Sequence, residues 1–273
     1  MSWNLWWRFG LWQERQDAIL ATLREVAPDV VTLQEVWAVD GGTSQRTMIA
    51  DALGMHSAGS EQTHGRDGLL LGNAILSRWP IVRQASLDLT QDVTEPRSAV
   101  VVEISAPWGT FPLATTHLSW RPEDSGTRRR QARAIKEHLA GLPATGYPPI
   151  LTGDLNADPA SDELRALTGL SADDGAPHPV FVDAWPQVNG AEPGCTWNHA
   201  NPLVAQWPWP NRRLDYVLVG LPAADLVQRD ATGWFQVRNC YLAGTAAVEG
   251  VQPSDHYAVV AELGVRPAGS PGA

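Results

Sequence analysis

The sequence is poor in cysteine and has no long apolar segment. Its 273 residues include only Cys195 and Cys240, which excludes a framework of several disulfides and leaves either two free thiols or one bridge. No run of about 20 apolar residues occurs, so we expect no transmembrane helix. No basic and apolar leader opens the chain. Cytoplasm is therefore the expected location, while secretion after removal of a leader stays open.

An excess of positive charge is also missing. The formal net charge is -10 and the pI is about 5.1. The surface as a whole therefore lacks the basic footprint of a protein that grips nucleic acid through many phosphates. The Gly-x-Ser-x-Gly sequence of serine esterases is absent as well, which argues against a metal-free esterase with a serine nucleophile.

Strand-like runs alternate with helix-like runs along the chain, without repeats or linkers. We predict a single α/β domain over residues 1–265 and a flexible tail over 266–273. A basic helix is predicted from Thr127 to Ala140, with its arginine and lysine side chains in solvent. The strand candidates between Asn73 and His117 are predicted to form an antiparallel meander.

Tryptophan is abundant, with 13 residues. Most of them are expected to pack in the core or beneath loops. Trp207 and Trp209 lie in a proline-rich segment, 197–213, which is predicted to form a rim loop. Their rings are the better candidates for contact with a ligand.

Two polar residues at strand positions favour a cation site. Asn4 lies in the first predicted strand, and Glu35 follows the buried run Val30 to Leu33. Singly, such residues are more often solvated or turn-forming. Together in one cleft, an amide oxygen and a carboxylate would suit Mg²⁺ or Mn²⁺.

The segment Gly153-Asp154-Leu155-Asn156 ends a short apolar run. If the backbone stays extended, Asp154 and Asn156 point to the same side. A turn that ends a strand would explain the pattern without any function. In a functional site, Asp154 would orient water and Asn156 would donate to a phosphate oxygen.

An acid and a histidine near the end of the chain predict a proton-accepting pair. Asp215 interrupts an apolar run and needs a buried partner. His256, in Ser254-Asp255-His256, precedes the last strand and would by itself be explained as a structural histidine. A carboxylate that is hydrogen-bonded to imidazole fixes the tautomer and prepares the ring to activate water.

His117 and Arg97 lie at the boundaries of two neighbouring strand candidates. Each in isolation would be explained as a surface residue. In a phosphate site, the two side chains would stabilise charge on the non-bridging oxygens.

As an ordered set, these segments resemble the endonuclease/exonuclease/phosphatase superfamily. That superfamily includes deoxyribonucleases, apurinic-site endonucleases, neutral sphingomyelinases and inositol-phosphate phosphatases. The matching segments follow the family order from residue 3 to 256 and are Trp3-Asn4-Leu5, Leu33-Gln34-Glu35-Val36, Asn73-Ala74-Ile75-Leu76-Ser77, Thr116-His117-Leu118, Gly153-Asp154-Leu155-Asn156, Arg213-Leu214-Asp215-Tyr216 and Ser254-Asp255-His256.

The resemblance implies a four-layer sandwich, in which two facing mixed β-sheets are flanked by helices. It implies that Asn4 and Glu35 hold Mg²⁺ or Mn²⁺, with Asp255 as a further or water-mediated ligand. The catalytic roles fall on six residues, namely Arg97, His117, Asp154, Asn156, Asp215 and His256. Whether Asp154 or His256 takes the proton of water stays open.

The predicted function is hydrolysis of a phosphate ester, with a phosphodiester preferred, by water activated beside a divalent cation. Nucleic acid, a phospholipid head group and a small metabolite are all compatible substrates, and no protein partner is predicted. Two alternatives stay open. One is a phosphomonoesterase for a small phosphorylated metabolite, and the other is a non-catalytic binding protein with the same fold.

Overall fold

The structure, a computed structural model, describes residues 1–63, 68–90, 95–171, 179–228 and 232–268. Within these ranges the chain forms twelve β-strands, six α-helices and one 3₁₀ helix, Pro122–Asp124. The strands are β1 (Ser2–Asn4), β2 (Val30–Val39), β3 (His56–Thr63), β4 (Leu69–Ser77), β5 (Ile81–Asp88), β6 (Ser98–Ala106), β7 (Gly109–His117), β8 (Ile150–Asp154), β9 (Phe181–Asp183), β10 (Asp215–Gly220), β11 (Trp234–Ala243) and β12 (Ala258–Arg266). The helices are α1 (Trp12–Val26), α2 (Gln45–Leu53), α3 (Ser125–Ala140), α4 (Asp162–Leu167), α5 (Ala184–Asn189) and α6 (Ala224–Gln228).

The strands build two six-stranded mixed sheets. The first has the order β11-β12-β1-β2-β4-β3 and the second the order β5-β6-β7-β8-β10-β9. Strands β1 and β2 pair in parallel, as do β7 and β8, while the other pairs are antiparallel. The predicted meander is therefore correct for β5, β6 and β7 but wrong for β4, which belongs to the other sheet.

Three apolar clusters separate four layers. One cluster lies between the sheets, where Val100 and Val102 of β6 face Ile75 of β4. A second joins the outer face of the second sheet to α3 and α4, and a third joins the first sheet to α1 and α2. Alternate residues of each strand thus face different clusters, as the period of a β-strand requires. The predicted four-layer sandwich is confirmed.

Polar side chains also connect the two sheets near the middle of the sandwich. The Thr152 hydroxyl donates to Thr32 Oγ1 at 2.9 Å, and Gln34 Nε2 donates to Thr115 Oγ1 at 2.9 Å. Because these groups are buried, the hydrogen bonds compensate their desolvation and favour one relative position of the sheets. That position brings Glu35 of β2 close to Asp154 at the end of β8.

Helix α3 differs from the prediction in its start and in its basic face. It begins at Ser125, so Thr127 lies inside the helix and does not cap it. Arg128 is buried and pairs with Glu163 at 2.7 Å, while Lys136 donates to the Ala166 carbonyl at 3.2 Å. These two side chains are buried and contact α4, so the predicted solvation is wrong for them.

Three further expectations concern the cysteines, the membrane and the tail. Cys195 and Cys240 are both free thiols. None of the described helices is long and apolar enough to cross a membrane. Arg266 ends β12 and pairs with Trp234, so the strand reaches the first residue of the predicted tail. Residues 269–273 of that tail lie outside the described residues.

Candidate active site

All nine predicted site residues meet at one end of the sandwich, where β1, β7 and β8 end and where β2 carries a bulge. Seven of them line a single cavity of about 290 Å³, and the other two hydrogen-bond to residues of that lining. The lining residues are Glu35, Arg97, His117, Asp154, Asn156, Asp255 and His256, and the two others are Asn4 and Asp215.

A bulge in β2 aims Glu35 into the cavity. The pairing of β2 with β4 shifts register between Leu33 and Val36. At this bulge Glu35 adopts φ 53°, a left-handed conformation that is rare for a residue with a side chain. Such bulges re-aim side chains, and the strain is typical of functional sites. Strand β2 therefore continues past the bulge, while Glu35 itself is not paired with β4.

Gly153 allows the strand that carries Asp154 to approach β7. Its φ of 139° is unfavourable for other residues, and a Cβ there would clash with the Thr116 carbonyl oxygen. The close approach places Asp154 beside His117, with 3.6 Å between Asp154 Oδ2 and His117 Nε2. Glycine is therefore required in the Gly-Asp pair.

Asn4 joins the two carboxylates at the centre of the site. Its Nδ2 donates to Asp154 Oδ2 at 3.0 Å and to Glu35 Oε1 at 3.3 Å. Its Oδ1 accepts from the Trp6 amide at 2.9 Å. Asn4 thereby reduces the repulsion between two buried carboxylates, and its oxygen keeps a second lone pair.

His256 and Asp215 form the predicted pair. The distance from His256 Nδ1 to Asp215 Oδ2 is 2.8 Å, and both side chains are buried. Burial by itself would lower the pKa of His256, but Asp215, Asp255 and Asp154 together raise that pKa well above its ordinary value. Burial raises the pKa of Asp215 to about 6. At neutral pH the pair is therefore a carboxylate and an imidazolium.

The remaining carboxylates divide into one that ionises easily and two that do not. Burial raises the pKa of Glu35 to about 7, with a further contribution from Asp255, and burial likewise raises the pKa of Asp255. For Asp154, burial acts in the same direction, but His117 and His256, with hydrogen bonds from Asn4 and Asn156, lower the pKa below its ordinary value. Asp154 is thus ionised near neutral pH, whereas Glu35 changes its protonation state in this pH range.

His117 is neutral in this environment. Burial, followed by the charge of Arg97, lowers its pKa to about 3, although Asp154 opposes the shift. His117 can therefore donate a hydrogen bond to a phosphate oxygen, but it does not offer a positive charge.

Asn156 departs from the extended backbone that was expected. Its φ is 48°, so the chain turns directly after Asp154. The Asn156 amide N–H donates to Asp154 Oδ1 at 2.9 Å, and its Nδ2 donates to the Leu118 carbonyl at 3.1 Å. The turn keeps Asn156 in the cavity and also fixes the Asp154 carboxylate.

Arg97 lies in the cavity with a partner that the sequence did not predict. Its Nη2 pairs with Glu95 Oε2 at 2.9 Å, and the other Glu95 oxygen accepts from the Trp120 indole N–H at 2.9 Å. Arg97 is buried, so Glu95 balances its charge near the cavity.

Arg15 is a second unpredicted residue that supports the site. Its guanidinium donates to five backbone carbonyls at 2.7 to 3.1 Å, four from residues 5–9 and one from Pro253. It thereby fixes the loop after β1, where Trp6 and Trp7 have positive φ, against the loop that carries Asp255. No local sequence signal marks this arginine, because its partners lie up to 238 residues away.

Besides the predicted cation ligands Asn4 and Glu35, another group of ligand atoms in the site has the spacing of a metal centre. One such atom from each of Asp154, Asp215 and His256 lies within 4.8 Å of the others. Two carboxylate oxygens of the site, Glu35 Oε2 and Asp215 Oδ1, are buried and have no hydrogen-bond partner among the described residues. Unpaired buried oxygens are costly, so both positions fit a cation.

Comparison with known proteins identifies the family of this chain. The sequence profile of the Endonuclease/Exonuclease/phosphatase family matches residues 1–256, and the chain belongs to this family. Members of the family are metal-dependent enzymes that hydrolyse phosphodiester bonds. A search of curated protein sequences gave no match.

Several solved structures share the fold. The D. rerio TDP2 complexed with single-strand DNA product is similar with a TM-score of 0.73 and 19% identity, over 96% of this chain and 97% of that one. An endonuclease/exonuclease/phosphatase from Beutenbergia cavernae is similar with a TM-score of 0.69 and 25% identity, over 100% and 72% of the two chains. A truncated Caenorhabditis elegans TDP2 is similar with a TM-score of 0.66 and 22% identity, over 98% and 96%.

Proposed function

We propose that this protein hydrolyses phosphodiesters by attack of water beside a divalent cation, Mg²⁺ or Mn²⁺. The observation that carries the proposal is the convergence of seven acidic, amide, imidazole and guanidinium side chains on one cavity of about 290 Å³, with Asn4 and Asp215 hydrogen-bonded to them. They combine oxygen ligands for a cation, an ionisable imidazole and donors for phosphate oxygens, which are the parts that phosphoryl cleavage needs.

The residues fit a hard cation at Glu35. Its Oε2 is buried without a hydrogen-bond partner, while its Oε1 accepts from Asn4 Nδ2 at 3.3 Å. Asn4 would bind the cation through Oδ1, the amide atom that has lone pairs. Asp255 lines the same cavity and would be a further or water-mediated ligand. A divalent cation bound there would neutralise charge on the phosphoryl oxygens and acidify nearby water.

The group of Asp154, Asp215 and His256 is a less favourable position for this cation. His256 Nδ1 is already held by Asp215 at 2.8 Å, and a cation between them would remove that contact. Nitrogen ligation also suits zinc and other transition metals better than Mg²⁺. These three residues are better assigned to proton transfer.

In this assignment Asp154 orients water and His256 accepts its proton. The lowered pKa of Asp154 makes it a good hydrogen-bond acceptor but a weak proton acceptor. His256 binds a proton more strongly and is directed by Asp215. Because the imidazole has to be deprotonated before it can act as a base, the rate should rise with pH above neutrality.

The substrate phosphate would be held by Arg97, His117 and Asn156. Arg97 supplies charge, while neutral His117 and the Asn156 amide supply hydrogen bonds. The similar D. rerio protein holds a single-strand DNA product, which makes nucleic acid the first candidate. A phospholipid head group remains the second candidate, because the net charge of -10 disfavours tight binding of a polyanion.

A substrate panel tests the proposal. Plasmid DNA, short single-stranded DNA, a choline phospholipid and a sugar phosphate are incubated with the protein and Mg²⁺, and each assay is repeated with excess EDTA. We expect cleavage of a diester that stops in EDTA and returns when Mg²⁺ is restored. Activity that persists in EDTA would contradict the metal mechanism, and hydrolysis of the sugar phosphate alone would establish the monoesterase alternative.

A further inference from the structure

Four tryptophans form a continuous aromatic surface at the mouth of the cavity, here called the tryptophan ledge (Trp120, Trp197, Trp207 and Trp209). Trp209 is its centre, with ring centroids at 6.3 Å from Trp120, 6.2 Å from Trp197 and 5.7 Å from Trp207. Trp120, Trp197 and Trp209 line the same cavity as Asp154 and His256. The ledge therefore adjoins the position of the phosphate.

Two rings of the ledge are exposed to solvent. Trp120 is 39% exposed and Trp207 is 49% exposed. Exposed aromatic clusters of this kind mark ligand or partner surfaces. By contrast, Trp197 packs with Val204 and Leu214 in a small cluster that anchors the ledge to the protein. The ledge is thus a fixed aromatic surface with open outer faces.

The hydrogen bonding of Trp120 indicates which kind of ligand fits. Its indole N–H is already held by Glu95 at 2.9 Å, so the side chain offers its ring face and no free donor. At a membrane interface, by contrast, the polar end of a tryptophan is directed to the head-group region. The charged neighbours Glu95 and Asp158 also make this rim a poor surface for a bilayer.

We infer that the tryptophan ledge stacks on a nucleobase that flanks the scissile phosphate. Arginines border the ledge, because Arg121 lies 5.8 Å from the Trp120 ring centroid and Arg212 lines the cavity. Every base presents a planar face to such a surface, and stacking needs few phosphate contacts. An acidic protein can therefore hold a short single-stranded segment, with little dependence of affinity on salt.

This inference rests on the proposed function and names its substrate class. A binding experiment tests the inference separately from the proposed function. Affinity is measured in EDTA, so that neither the cation nor turnover enters the result. Thymidine 5′-monophosphate and 2-deoxyribose 5-phosphate are titrated and compared by calorimetry, since they differ at C1′, where the sugar phosphate has a hydroxyl group in place of the base. If the protein binds the nucleotide more tightly than the sugar phosphate but hydrolyses no diester in the presence of Mg²⁺, the proposed function is refuted. The assignment of the tryptophan ledge to base stacking is then retained.

We expect the nucleotide to bind roughly 5- to 150-fold more tightly than the sugar phosphate, which is the range of one base–aromatic stack. Trp120→Leu should remove much of this preference, whereas Trp120→Phe, which keeps a ring, should retain most of it. Trp234→Leu is the matched control, because Trp234 is also 39% exposed and lies on β11, away from the cavity.

Two outcomes would overturn the inference. The first is equal affinity of the wild-type protein for the nucleotide and the sugar phosphate. The second is sedimentation of the wild-type protein, but not of Trp120→Leu, with phosphatidylcholine vesicles, together with unchanged nucleotide binding by Trp120→Leu. That second result would assign the ledge to a lipid surface.

Discussion

The two ends of the sandwich both hold a cavity and aromatic side chains, but they differ in what those side chains surround. At the active-site end, the aromatic rim surrounds buried carboxylates and imidazoles with shifted pKa values. At the opposite end, a cavity of about 440 Å³ is lined mainly by apolar residues, including Trp108, Phe111 and Phe235. Burial of apolar side chains stabilises the opposite end, whereas burial of carboxylates and imidazoles opposes their ionisation at the active-site end.

The opposite end also contains a cluster of aromatic rings in contact with one another. Trp108 contacts the rings of Phe111, Tyr147 and Phe235 at centroid distances of 4.8 to 5.5 Å. At the active-site end, buried ionisable groups contact each other instead, and two of their oxygens lack partners. The comparison indicates that stability and chemistry are concentrated at different ends, and substitutions at each end test this separation.

The largest effect is expected for His256→Ala. Loss of a positioned proton acceptor should lower kcat by roughly 10²- to 10⁴-fold while the fold is retained. Turnover of the diester identified in the substrate panel, with circular dichroism for the fold, is the measurement. His56→Ala is the control, because His56 is exposed and lies at the other end of the first sheet. Unchanged turnover in His256→Ala would remove the proposed base.

Asp215→Asn tests the role of His256 through the dependence of kcat on pH. Asp215 raises the pKa of His256, so its loss should let the imidazole deprotonate at lower pH. The rise of kcat with pH should therefore move toward lower pH, while the maximal rate falls because the ring is less well directed. A profile that moves to higher pH would contradict the assignment of His256 as base.

The next largest effect is expected for Phe111→Ala at the opposite end. Phe111 is buried and contacts Trp108 and Phe235, so its truncation should lower the free energy of unfolding by roughly 3–5 kcal/mol. Urea unfolding measures this loss, and turnover per folded molecule should stay unchanged. Phe9→Ala, at the exposed rim, should change stability by about 0.5 kcal/mol or less. A large loss of turnover in Phe111→Ala would show that the two ends are coupled.

The smallest of these effects is expected for Glu35→Gln in the metal-free protein. Because burial raises the pKa of Glu35 from 4.5 to about 7, its contribution to stability is full below pH 4.5 and is lost as the pH rises through 7. Glutamine imitates the protonated acid, so the variant should gain stability over wild type between pH 5 and pH 8, reaching roughly 3 kcal/mol.

Urea unfolding of both proteins in EDTA at several pH values measures this gain. With Mg²⁺ added at pH 8, the order should reverse, because wild type gains binding energy and the variant has lost the ligand. A variant that gains as much stabilisation from Mg²⁺ as wild type would remove Glu35 from the cation site.

Much of the site was predictable because its residues follow buried strands. Glu35 follows an apolar run in the first sheet, and Asp154 ends an apolar run in the second. Local sequence determines such placement through burial and period. Strand β3 was not predicted, since its small and polar residues lack an apolar alternation.

The sequence by itself determined which chemical groups are present and that they follow strands in the family order. Only the tertiary structure decided that Glu35 sits in a strained bulge, that Glu95 balances Arg97, and that Arg15 fixes two loops of the site. It also decided that Trp120 and Trp209 meet at the mouth, 89 positions apart in the chain. Such contacts depend on packing between distant segments, and local patterns carry no information about which distant partner a buried polar group will find.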